Sequence, residues 1–186
     1  MNKTAKLLLA AAFAVSGLTA QAETLAEIDT NYGTIKLSLD EQRAPKTVAN
    51  FVRYAEKGFY NNTVFHRVID GFMIQGGGLD NMMREKPVKA PIMNEAANGL
   101  KNLEGTVAMA RTADPHSASA QFFINTVDNP DLDYQSEEEF GYCVFGQVID
   151  GLDVVKKIEK ARVRPQGDHE HAPVDQISIN SITRFE

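Results

Sequence analysis

The feature that most constrains the fold is how the apolar residues are parcelled. From Leu25 onward they fall into short β-rich runs at 63–69, 72–75, 106–111, 121–125, 142–148 and 176–185, separated by Gly, Pro and Asn/Asp clusters. Residues 25–40 read as two more strands joined by a turn at Asn31-Tyr32-Gly33; Ile35, Leu37 and Leu39 alternate with Lys36 and Ser38, the period of a half-buried strand. Helical spacing occurs twice. Pro45 opens the first helix, where its missing N–H costs nothing, and Val48, Phe51, Val52 and Ala55 form its stripe before Gly58 stops it. Ala44 brings no capping side chain to that helix. The second, about 152–160, sets Leu152, Val155 and Ile158 on one face. Some eight short, mostly consecutive strands with two helices predict a mainly β fold, a barrel or sandwich capped by helices. Alternating βαβ units are absent, which argues against a doubly wound sheet.

The first 22 residues obey another logic. Lys3 and Lys6 precede an apolar run from Leu7 to Val15, and Ala20-Gln21-Ala22 puts small residues where a signal peptidase reads. Residues 1–22 are therefore expected to be a secretory signal peptide, too short to span a bilayer as a mature helix, and residues 23–186 the single folded domain. Cleavage after Ala22 leaves 164 residues, and removing two lysines leaves 17 basic against 25 acidic groups, a net charge of −8. That acidity excludes a general binder of phosphate backbones, whose affinity comes from clustered Lys and Arg. The single cysteine, Cys143, forms no intrachain disulfide, and its β-type neighbours Tyr142 and Val144 point to a small buried hydrophobe.

Several combinations imitate catalytic motifs. Asp114, His116, Ser117 and Ser119 have the residue types of a hydrolase triad, but they crowd one loop and lack a G-x-S-x-G elbow, so a polar turn on Asp114-Pro115 is expected. Gly76-Gly77-Gly78 is not followed by the Lys and Ser/Thr of a phosphate loop and reads as a turn or a close backbone approach. His169 and His171 have only acids nearby and are expected in a solvated loop across 165–173. Glu137-Glu138-Glu139 reads as a solvated run that discourages strand pairing.

What remains unexplained is Phe65-His66-Arg67, then Gly71-Phe72-Met73-Ile74-Gln75-Gly76-Gly77, then Gln121-Phe122-Phe123-Ile124-Asn125. One Arg, two Gln and an excess of Phe and Met lie on strand-like segments. Taken singly, Phe72, Met73 and Phe123 suit a core and Arg67 a surface ion pair. Taken together they also suit an apolar pocket with a permanently charged planar donor beside it and amides at its rim. Such a site has no nucleophile and no general base, and fits a reaction that needs only selective binding of a distorted amide.

At these residues the sequence resembles the cyclophilins. The likeness runs from the Tyr32-Gly33 turn through Pro45-Lys46-Thr47-Val48-Ala49-Asn50-Phe51 to the last strand, and includes Phe65-His66-Arg67-Val68-Ile69 and Ser119-Ala120-Gln121-Phe122-Phe123-Ile124. It implies a closed eight-stranded antiparallel β-barrel capped by two α-helices, and peptidyl-prolyl cis–trans isomerisation without cofactor or metal. It further implies Arg67 as the catalytic arginine, and Phe72, Met73, Phe123 and Leu132 as the proline pocket. Gln75, Gln121, Ala110 and Arg111 then meet the substrate backbone, and Tyr142 borders the pocket. With the leader, the resemblance implies a periplasmic, monomeric protein acting on proline-containing segments of exported polypeptides, neither embedded in a membrane nor bound to nucleic acid. Three positions depart from the family pattern: Arg111 where many relatives have Asn, Asp131 where many eukaryotic members have Trp, and Tyr142 in place of a His. The 132–142 loop is also longer and acidic. Two other readings compete: a chaperone that grips prolyl segments without turnover, and a hydrolase using the Asp114-His116-Ser117 loop.

Overall fold

The computed structural model describes residues 24–185; the expected signal peptide lies outside them. Eight strands close into an antiparallel barrel in the order β1 (Thr24–Thr30), β10 (Ser178–Phe185), β3 (Thr63–Ile69), β4 (Met73–Asp80), β6 (Phe122–Asn125), β5 (Thr106–Met109), β7 (Val144–Asp150) and β2 (Gly33–Leu39), with β2 returning to β1. Helices α1 (Pro45–Glu56) and α2 (Leu152–Glu159) cap it. Closure removes the exposed sheet edges that would otherwise invite pairing with other chains. No helix among the described residues is long and apolar enough to cross a membrane.

Strand alternation sorts side chains to two sides of the barrel wall. Ile28, Ile35, Leu37, Phe65, Ile74, Val107, Met109, Phe122, Ile124 and Phe145 join the main core. Phe51, on the buried face of α1, enters the same core and meets Phe122 edge-on at 5.5 Å, Phe145 at 5.2 Å and Tyr60 at 5.3 Å. Removing such a fully buried ring typically costs about 3–5 kcal/mol.

Helix α1 starts without a local cap, as its sequence predicts, and a distant residue takes over. The Glu95 carboxylate accepts from the backbone N–H of Lys46 (3.2 Å) and of Thr47 (2.9 Å), and from the Thr47 hydroxyl (2.8 Å). It thus satisfies orphan donors and puts negative charge at the positive end of the helix.

Four sequence expectations need correction. The strand expected at 72–75 runs on to Asp80, because the glycines let β4 continue by close approach instead of turning; Gly77 has φ +83, and a Cβ there would lie 2.7 Å from the Phe122 ring. The strands expected at 106–111 and 142–148 are Thr106–Met109 and Val144–Asp150, which leaves Ala110, Arg111 and Tyr142 just outside the ladder. Leu152 is 39% exposed, so the buried face of α2 is Val155, Ile158 and Glu159; the Glu159 carboxylate accepts from Gly71 N–H at 2.9 Å. Finally, 165–173 is not a loop. β8 (Val163–Gln166) and β9 (His169–Pro173) form a two-stranded ribbon that turns at Gly167, and His169 packs edge-on against His66 of β3 at 5.4 Å.

Candidate active site

The residues that alternate away from the core form a second apolar cluster on the outer wall of β4, β6, β5 and β7. Met73, Ala108, Phe123 and Val144 are its buried members, and Ile69, Phe72, Leu100, Ala110, Leu132 and Tyr142 pack against them. The family likeness assigned Phe72, Met73, Phe123 and Leu132 to one pocket, with Tyr142 at its border and Ala110 on the segment that meets the substrate backbone. All six meet here. The Phe123 and Tyr142 rings meet edge-to-face at 5.6 Å, and Tyr142 N–H donates to the Leu132 carbonyl at 2.9 Å.

Arg67 stands at the edge of this cluster. On β3 it is paired in register with Gln75 of β4. Its Nη1 points to Met73 Sδ at 3.8 Å and donates to Gln75 Oε1 at 3.3 Å, and Gln75 Nε2 donates to Gln121 Oε1 at 2.9 Å. Cation and two amides thus form one line along the rim. Gly78 makes room for it, since a Cβ there would collide with the Gln121 side chain. Among the described residues no carboxylate pairs with Arg67, so the surface ion pair its type suggests is not made.

Arg111 follows Ala110 just past β5, and its side chain turns toward the 141–142 segment. Its Nε donates to the Gly141 carbonyl at 2.9 Å and its Nη1 to the Thr112 carbonyl at 2.9 Å, while the guanidinium lies 4.5 Å from the Tyr142 ring centroid. In this arrangement it braces the Tyr142 wall. Asp131 is exposed on the 3-10 helix Pro130–Leu132.

His66, next to Arg67, is 3% exposed and its Nδ1 has no hydrogen-bond partner. Burial first, then the neighbouring His169, holds its imidazole down to about 4. It is therefore a neutral ring at pH 7. The Asp114-His116-Ser117 loop is committed to its own turn: Ser117 Oγ donates to the Asp114 carbonyl at 2.7 Å, and His116 Nδ1 accepts from Asn94 N–H at 3.2 Å. Cys143 is buried, and burial pushes its thiol up to about 11.

Sequence reasoning missed the polar layer beneath the slot, made of Asn102, Asn125, Asn129 and Asp133, all buried. One signal was available. Asn125 ends the run Phe-Phe-Ile, and Asn is depleted in strands, so its presence there needs a hydrogen-bonding reason.

A closed, helix-capped barrel carrying an outer apolar slot rimmed by a guanidinium and two amides is the class that this fold and site define. The comparisons give that class its family. The family model described as "Cyclophilin type peptidyl-prolyl cis-trans isomerase/CLD" matches residues 25–184. Peptidyl-prolyl cis-trans isomerase B of Escherichia coli (strain K12) is 54% identical over 156 residues, covering 83% of this chain and 95% of that one. Peptidyl-prolyl cis-trans isomerase A of Dickeya dadantii (strain 3937) is 46% identical over 183 residues, covering 95% and 96%. Among solved structures, a Cryptosporidium parvum cyclophilin-type isomerase superposes with a TM-score of 0.73 at 30% identity over 89% of this chain and 99% of that one. A crystal structure of the same parasite isomerase in the presence of the dipeptide Ala-Pro gives 0.72 at 31% identity, over 87% and 99%. The chain belongs to the cyclophilin-type peptidyl-prolyl cis–trans isomerases, enzymes that act on proline-containing polypeptides.

Proposed function

We propose that the chain accelerates rotation about X-Pro bonds of exported proteins by holding the proline ring against the outer apolar cluster while Arg67 stabilises the twisted amide. The rotation barrier, about 18–20 kcal/mol, comes from delocalisation of the nitrogen lone pair into the carbonyl. Twisting frees that lone pair, and Arg67 donates to it. The bond exists only when the amide is twisted, so it lowers the barrier without tightening ground-state binding. A hydrogen bond to a charged group contributes about 1.5–3 kcal/mol, which is roughly 10- to 150-fold in rate. Phe72, Met73, Phe123, Leu132 and Tyr142 hold the ring, and their exclusion of water favours the less polar twisted amide and strengthens the charged contact. Gln75, Gln121, Ala110 and the Arg111 backbone guide the flanking chain.

The observation that carries this reading is the position of the guanidinium. It lies 3.8 Å from Met73 Sδ, has no carboxylate partner among the described residues, and is otherwise bonded to the Gln75 amide, which can yield it. The N-terminal pattern supports export and cleavage after Ala22, and the family likeness supports action in the periplasm. The test is a protease-coupled isomerisation assay on an Ala-Pro peptide. Wild type accelerates the slow phase, and Arg67→Ala loses at least about 10-fold. A protein that binds the peptide yet leaves the slow phase unchanged is a holding chaperone, and the isomerase reading fails. Cell fractionation with mass analysis tests export: a periplasmic form beginning at Glu23 is expected, and an intact cytoplasmic chain contradicts it.

A further inference from the structure

The polar layer beneath the slot is a one-directional relay of amides. Asn129 Nδ2 gives its two protons to the Phe72 carbonyl (2.9 Å) and to Asn125 Oδ1 (2.7 Å). Asn125 Nδ2 gives its pair to Asn102 Oδ1 (3.2 Å) and Thr106 Oγ1 (2.9 Å). Asn102 Nδ2 then reaches the Leu132 carbonyl (3.0 Å) and Asp133 Oδ1 (3.1 Å). Asp133 is fixed in turn by the backbone N–H of Asn102 at 2.7 Å and by Lys101 at 3.4 Å. Each amide points one way only, because reversing any of them sets oxygen against oxygen.

The relay begins and ends on slot walls. Phe72 lies in the turn before β4 and Leu132 on a one-turn 3-10 helix, so neither is held within a strand ladder. Apart from the relay, each wall carbonyl takes a backbone bond, Phe72 from Thr126 N–H at 3.0 Å and Leu132 from Tyr142 N–H at 2.9 Å. Asn125 is fully buried and Asn102 is 1% exposed, so water does not substitute for a missing partner without opening the fold. Asn129 precedes the 3-10 turn of Leu132, its carbonyl accepts Leu132 N–H at 3.0 Å, and its side chain ties that turn directly to Phe72. Asn125 and Asn102 hold Asn129 and Leu132 from beneath, so shifting one wall relative to the other strains these bonds together.

We propose that Asn129, Asn125 and Asn102 are positioning residues that fix the separation of Phe72 from Leu132 and so gauge the slot to a five-membered ring. This rests on the slot being the proline site. A proline ring is accepted, whereas the six-membered ring of pipecolic acid requires the walls to part and is disfavoured.

The test measures kcat and KM on matched Ala-Pro and Ala-pipecolyl peptides for the whole protein and for Asn125→Ala and Asn129→Ala. Asn125→Ala cuts the relay at its middle and leaves the Asn129 bond to Phe72 and the Asn102 bond to Leu132 in place. Both variants are expected to raise KM for the proline peptide at least threefold, and to lower the ratio of kcat/KM for proline over pipecolyl peptide at least threefold. Val155→Ala, which opens the buried face of α2, serves as a destabilised control and keeps the wild-type ratio. Variants that melt cooperatively yet keep that ratio overturn the proposal. Wild type supplies a readout that no folding failure can remove: the Asn129 and Asn125 side-chain amide protons exchange slowly with solvent by NMR, and rapid exchange also overturns it. A wild-type protein that fails to accelerate the proline peptide defeats the isomerase reading instead, which separates the two failures.

Discussion

Folding forces the His66 imidazole to stay neutral, which makes stability depend on pH in a calculable way. In the unfolded chain histidine titrates near its ordinary 6.5, while in the fold burial, first of all, and the facing His169 lower it to about 4. Between those values the unfolded chain binds a proton that the native chain refuses. Stability is therefore full above 6.5 and falls as the pH drops, by about 1.4 kcal/mol per pH unit, until the native ring itself protonates near 4. From pH 7 to pH 5 the loss is about 2 kcal/mol, or roughly 4–8 °C in Tm for a domain of this size. The assay is thermal and urea unfolding of wild type and His66→Gln at both pH values. Wild type should lose this increment and the variant should lack it. Curves that fall in parallel for the two proteins would show that the ring is not held neutral, and the reasoning fails.

Glu95→Ala removes the carboxylate that caps α1 from a distance and should destabilise the fold by about 0.5–2 kcal/mol in urea unfolding, with isomerase activity retained. Phe123→Ala empties the centre of the outer cluster, and peptide titration should show ground-state binding weakened by about 10-fold or more, consistent with about 1.5–3 kcal/mol for burying an aromatic side chain. Buried Cys143, with its thiol pushed up to about 11, should resist a thiol reagent at pH 8 in the native protein and react once unfolded.

Much of the barrel is legible in sequence because its strands are patterned locally. The alternation of Ile35, Leu37 and Leu39 reads directly as β2, with all three in the core. The polar ribbon of β8 and β9 carries no such pattern. Val-Arg-Pro-Gln and His-Glu-His-Ala-Pro form strands only because β9 has β3 to lie against, a tertiary cause that local propensity does not contain. The Glu95 cap is similarly invisible, since nothing about residue 95 marks it as belonging to a helix that starts at residue 45. At the site, residue types and family likeness brought out Arg67, Gln75, Gln121 and the apolar slot. What Arg111 does was hidden, because a side chain beside the ladder can turn toward a substrate or toward Gly141 and Tyr142, and only packing decides. The three asparagines were overlooked because a buried amide is justified by its partners, and those partners lie at widely spaced positions in the chain.

The central claim is that Arg67 bonds to the proline nitrogen only after the amide has twisted, and separating turnover from binding in Arg67→Ala tests it most directly. With an Ala-Pro peptide, equilibrium titration should give a Kd within about threefold of wild type while kcat falls at least about 10-fold, the signature of a contact made only at the top of the barrier. A Kd weakened as much as kcat/KM, with kcat preserved, would mean that the guanidinium merely holds the planar peptide, and the account would be contradicted.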